Sequence, residues 1–64
     1  MKSSTMKRIE KIVVRAQNFR SNDEYGYLLT DGDVELSIEM ILKEENVQGN
    51  LTKMSEDLLA ELKR

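Results

Sequence analysis

Cysteine, histidine and proline are absent from this 64-residue chain. Without cysteine there is no disulfide staple. Without cysteine and histidine, the usual zinc sites and the common nucleophile–base pairs of covalent catalysis are missing. Glycine is scarce, and Gly26, Gly32 and Gly49 fall in no phosphate-cradling pattern. No apolar run approaches the roughly 18 residues needed to cross a bilayer. Met1-Lys2-Ser3-Ser4-Thr5 leads into charge instead of an apolar stretch, so the sequence predicts no secretory leader and a cytoplasmic setting. Asp31-Gly32-Asp33 lacks the ligand spacing and the closing glutamate of a calcium loop. Asn50-Leu51-Thr52 fits the glycosylation pattern but reads as a turn into a helix. No catalytic residue, cofactor or metal is expected.

What is present suits a folded domain: 39% hydrophobic and 34% charged residues argue against wholesale disorder. One domain over residues 1–64 is expected, at a size where a single core barely suffices. Oligomerisation is then the remaining source of extra stability. The net charge of −2 hides an uneven distribution. Lys2, Lys7, Arg8, Lys11, Arg15 and Arg20 face only Glu10 within residues 1–20. Residues 21–45 hold Asp23, Glu24, Asp31, Asp33, Glu35, Glu39, Glu44 and Glu45 against Lys43 alone. The simplest reading is that the two segments lie side by side and neutralise each other; an interaction surface is the alternative.

Residues 4–19 read as a helix, because Met6, Ile9, Ile12, Val13, Ala16 and Phe19 recur at helical spacing. Lys7, Arg8, Lys11 and Arg15 fill much of the opposite arc, and Ser3, Ser4 or Thr5 is placed to cap the start. Arg20 to Asp23 has the turn chemistry to end it. A second helix is expected from about Thr52 to Lys63, with Leu51, Met54, Leu58 and Leu62 as its stripe and Leu59 widening it.

Between them, Tyr25 to Met40 reads as a β-hairpin. Asp31-Gly32 supplies the pair a type I′ turn requires. With that pair at the turn, Tyr25, Tyr27, Leu29, Val34, Leu36, Ile38 and Met40 share one face. Thr30, Asp33, Glu35, Ser37 and Glu39 share the other. The fold expected is therefore α+β, a two-layer helix–β-hairpin–helix domain. The same stretch supports another reading. Gly32-Asp33-Val34-Glu35, followed by Ile38 and Ile41-Leu42, resembles the last helix of ubiquitin-associated domains. That resemblance implies an all-α three-helix bundle with an extra C-terminal helix, and a second helix over Tyr25 to Thr30. It also implies that Phe19, Ile41 and Leu42 correspond to the ubiquitin-contacting loop and helix end. Neither Met nor Gly precedes Phe19, unlike the family's Met-Gly-Phe/Tyr loop, and the stretch from Phe19 to Gly32 is shorter than in typical members.

Function is expected to be non-catalytic: a small protein-binding module with a regulatory or inhibitory role. The acidic strip Asp33, Glu35 and Glu39 is the candidate surface for an unidentified protein partner. Self-association is expected along the long strand edge from Asp33 to Leu42, which carries no proline to block it. The basic face Lys7, Arg8, Lys11 and Arg15 keeps nucleic acid open as a lesser alternative, since four cations on one face can contact phosphates. No membrane partner is expected.

Overall fold

The computed structural model describes residues 1–64. Three helices account for nearly all of its order: α1 over Ser3–Asn22, α2 over Asp31–Glu44 and α3 over Leu51–Leu62. A 3-10 turn over Gly26–Leu28 links the first two. Helix makes up 77% of the chain and there is no strand, so the protein is all-α.

The α+β helix–hairpin–helix expectation is thereby overturned. Val34 and Ile38 lie four residues apart, a spacing that serves a strand face and a helix face equally. The two readings part at the next residues. A strand would bury Leu36 and Met40, whereas α2 buries Ile41 and Leu42 (6% and 0% exposed) and leaves Leu36 and Met40 outward at 61% and 63%. Local chemistry favours the helix. Thr30 Oγ1 accepts a hydrogen bond from the Asp33 N–H, and the Asp33 carboxylate accepts one from the Thr30 N–H, closing a reciprocal cap. Asp31 and Asp33 in the first turn and Lys43 in the last both complement the helix dipole. Asp31-Gly32 thus opens a helix instead of turning a hairpin. The acidic strip breaks up with it: Asp33 lies roughly 200° around α2 from Glu35, which keeps only Glu39 on its own face. With no strand there is no sheet edge, so pairing of two copies along Asp33 to Leu42 is overturned as well.

Helix α1 buries Thr5, Ile9, Val13 and Ala16, a run of i, i+4, i+8 and i+11. It begins one residue before the expected 4–19 and ends three residues after it, so Arg20, Ser21 and Asn22 are still helical and Asp23 is the C-cap; Lys2 stands at the N-terminal cap position with no side-chain capping bond. Thr5 is buried instead of capping. Helix α3 is capped by Asn50, whose side chain accepts from the Lys53 N–H, and not by Thr52. Its stripe residues Leu51, Met54, Leu58 and Leu62 pack half-buried against the core, with Leu59 fully inside. Between α2 and α3, the Val47 N–H reaches the Leu42 carbonyl and the Asn46 N–H reaches that of Lys43. Asn46 takes the left-handed conformation this closure needs (φ 56°). Gly49 (φ 117°) then redirects the chain into α3.

Polar contacts show how the helices run. Arg8 near the start of α1 pairs with Glu44 and Glu45 at the end of α2, and Arg20 near the end of α1 pairs with Asp31 at the start of α2. Lys63, just past α3, also reaches Asp31, while Thr52 at the start of α3 donates to Glu39. Helices α1 and α3 are therefore parallel to each other and antiparallel to α2. Helix α2 packs along both neighbours, which touch each other only lightly. Ile9, Val13, Ala16, Val34, Ile38, Ile41, Leu42 and Leu59 form the core. Burying an aliphatic side chain of this size contributes about 1.5–3 kcal/mol.

Candidate functional site

The core is wholly aliphatic. Every aromatic residue of the chain is on the surface, at one end of the bundle. Phe19 is 42% exposed, Tyr25 57% and Tyr27 75%, with Leu28 beside them at 60%. Large apolar side chains grouped in water at one end of a bundle make that end a candidate contact surface.

The segment that carries them is held firmly. Asp23 accepts the Tyr25 N–H on its side chain (2.8 Å) and the Gly26 N–H on its carbonyl (3.0 Å). The Leu28 N–H bonds to the Tyr25 carbonyl and the Leu29 N–H to that of Gly26. From the helix side, Arg20 Nε donates to the Leu29 carbonyl (2.8 Å) while its guanidinium pairs with Asp31 (2.8 Å). Gly26 is buried against the end of α1. A Cβ there would overlap the Phe19 carbonyl oxygen and sit 2.6 Å from Arg20 Cα. The backbone of the turn thus rests directly on α1 next to Phe19, and the tyrosines on either side of Gly26 project from a fixed frame. Fixing the frame before binding reduces the entropy lost on association. The sequence pattern that placed Tyr25 and Tyr27 in a core does not reveal this; the one signal available was Gly26 between two tyrosines, a glycine where close backbone approach is needed.

Asp31 anchors this end electrostatically. Hydrogen bonds from Lys63 and then Arg20 hold its carboxyl below the usual carboxylate range. At the far end, hydrogen bonds to Glu44 and then Glu45 raise the Arg8 guanidinium above its ordinary value. The Arg8 and Arg20 pairs join the basic first segment to the acidic second, while Lys2, Lys7, Lys11 and Arg15 make no ion pair, so the internal neutralisation suggested by the charge pattern is partial.

The other nominated residues are placed as follows. Asp33 is committed to the cap of α2, Glu39 accepts from Thr52, and Glu35 is half-buried. Lys7, Arg8, Lys11 and Arg15 are all exposed on α1; Arg8 is paired, and the other three make no ion pair within the chain. Phe19 lies inside a helix instead of a loop, Ile41 and Leu42 are core residues, and residues 25–30 hold only a 3-10 turn. The ubiquitin-contacting roles suggested for Ile41 and Leu42 are incompatible with that burial. An open depression of ≈ 540 Å³ lies at the end opposite the aromatics, with Thr5 and Met54 among its lining. No three carboxylates converge as a metal site would require, and no helix is long and apolar enough to cross a membrane. No known protein family, curated protein or solved structure matches this chain.

Proposed function

We propose that this chain is a non-catalytic protein-binding module whose contact surface is the aromatic end: Phe19, Tyr25, Tyr27 and Leu28. The observation that carries this reading is the exposure of the chain's entire aromatic content where the end of α1, with Phe19, meets a turn whose backbone is already bonded in place, with Tyr25 and Tyr27. Tyrosine supplies large contact area for the loss of only two side-chain torsions, and aromatic anchors dominate the energetics of protein interfaces. A rigid surface with no reactive centre acts on a partner by occupying it, which gives the module a regulatory or inhibitory role.

Selection of binding polypeptides from a displayed library tests the assignment. Binders should lose affinity for Tyr27→Ala by about 30-fold or more, the equivalent of roughly 2 kcal/mol at a central anchor. Leu28→Ala should weaken them too, and both variants should keep the helical CD spectrum of the parent. Binders that map to α1 or α2 and ignore both substitutions would refute the site.

A further inference from the structure

Helix α1 turns one arc of its surface away from the rest of the chain. At 3.6 residues per turn, Ser4, Lys7, Lys11, Arg15, Asn18 and Asn22 fall within roughly 80° of one another, opposite the buried Thr5, Ile9, Val13 and Ala16. All of them are exposed, all carry hydrogen-bond donors, and no acidic, apolar or aromatic side chain interrupts them. None makes a side-chain hydrogen bond or an ion pair within the chain. Glu10, the one acid of α1, stands outside the arc, roughly 60° beyond Lys7, and forms no ion pair. Nor does α2 bring an acid to its middle. The Arg8–Glu44 and Arg20–Asp31 pairs fix the register of the two helices, and between them Lys11 and Arg15 stand level with Met40 and Leu36. Glu39 is turned to the far side of α2, where it accepts from Thr52. The surplus of acid therefore lies on α2, α3 and the turn, and the arc is a cationic ridge on a chain of net charge −2.

The make-up of the ridge selects its ligand. The centres of protein interfaces are depleted in lysine and enriched in aromatic anchors, the reverse of this arc. Burial in a lipid surface needs an apolar face beside the cations, and the arc has no apolar residue. Single strands and RNA loops are held by stacking on aromatic side chains, which are absent from it. Cations among neutral donors fit phosphate oxygens, which lysine and arginine neutralise and serine and asparagine hydrogen-bond. A ridge that is itself an α-helix enters the major groove of B-form DNA, about 12 Å wide, but not the narrow one of A-form RNA. We propose that α1 docks along the major groove of double-stranded DNA. Lys7 and Arg15, at the two edges of the arc, meet phosphates on either side of the groove, and Lys11 meets a third. The acids on the other elements orient the approach, ridge first. The contact uses none of Phe19, Tyr25, Tyr27 and Leu28, so it stands apart from the function proposed above.

Fluorescence anisotropy of a labelled DNA duplex, titrated with the full chain at several salt concentrations, tests this. Three phosphate contacts should give log K against log salt a slope of about −2.7, a roughly 40-fold loss of affinity between about 50 and 200 mM salt. Lys11→Gln alone should flatten that slope by about 0.9. Lys7→Gln, Lys11→Gln and Arg15→Gln together should abolish binding, while CD shows the parent helix content, since all three side chains are exposed and unpaired. Lys7→Arg with Lys11→Arg keeps the charge and should bind as the parent does. So should Lys43→Gln with Lys53→Gln, which removes two exposed cations from α2 and α3, and Tyr25→Ala with Tyr27→Ala. A parent with no salt-sensitive duplex binding at the lowest salt would overturn the proposal. So would a triple variant that binds like the parent, or an equal loss in the Lys43 and Lys53 variant. Tighter binding to single-stranded DNA, double-stranded RNA, anionic vesicles or a poly-glutamate chain than to the duplex would overturn it as well.

Discussion

Replacing Gly26 by alanine puts a methyl group where there is no room for one. The added carbon would overlap the Phe19 carbonyl oxygen and stand 2.6 Å and 2.8 Å from the Cα and carbonyl oxygen of Arg20. All three are backbone atoms of α1, so no rotamer change relieves the overlap; the turn must lift away. Lifting it strains the Arg20–Leu29 bond, which crosses the same gap. Overpacking of this kind costs about 1–3 kcal/mol. A value of about 2 kcal/mol lowers Tm by roughly 8–16 °C in a domain of this size. Gly32→Ala provides the opposite sign. Its Cβ would meet only Thr30 Oγ1, at 3.6 Å, and Gly32 is not in the left-handed region. Within the first turn of α2 the change should stabilise by about 0.4–1 kcal/mol through the unfolded chain. Thermal and urea unfolding followed by far-ultraviolet CD measures both. A Gly26→Ala protein that melts with the wild type would refute the packed turn. A Gly32→Ala protein that is clearly destabilised would bring back the hairpin, where Gly32 needs positive φ.

Three further substitutions probe the remaining parts. Thr30→Ala opens the reciprocal cap of α2 and should cost about 1 kcal/mol in urea unfolding; no loss would show that the cap is not formed in solution. Leu36→Asp should leave the helical CD signal in place, whereas Ile38→Asp should abolish folding by placing a charge at a fully buried position; equal outcomes for the pair would contradict the facing of α2. Asp31 has a folded pKa below its ordinary value of 3.8, so the stability it contributes is complete above that value and is lost as pH falls through the lower, folded one. Acid unfolding should therefore show a smaller pH dependence below 3.8 in Asp31→Asn than in the parent; identical acid profiles would mean that Lys63 and Arg20 do not hold the carboxylate.

The outer helices were legible because their apolar residues repeat at helical spacing and at no other. Residues 25–42 were not, for a definite reason. Val34 and Ile38 satisfy both periods, and Leu36 and Met40 complete an alternation that α2 leaves in solvent. Asp-Gly is the pair a hairpin turn favours, but it is also acceptable at the first two positions of a helix when a capping residue precedes it. Thr30 followed three residues later by Asp33 was that signal, and together with Ile41-Leu42 it points to the helix. The aromatic end was hidden for another reason. Whether Tyr25 and Tyr27 face inward depends on where Gly26 rests, and that contact is with the backbone of α1, on which local patterns carry no information.

The placement of α2 between two helices that scarcely meet has a kinetic consequence. Each helix packs chiefly on its neighbour in sequence, so the chain closes only two short connections, residues 23–30 and 45–50, on its way to the native state. Contacts this local place folding in the microsecond-to-millisecond range of small helical proteins. They also divide the molecule unequally. Helix α3 inserts one fully buried apolar side chain, Leu59, while α1 and α2 share the other seven. That count does not rank the two seams, because α3 has the more extensive contact with α2 and adds Leu51, Met54, Leu58 and Leu62 to the packing; α2, held on both sides, should therefore be the last helix whose amide protons exchange.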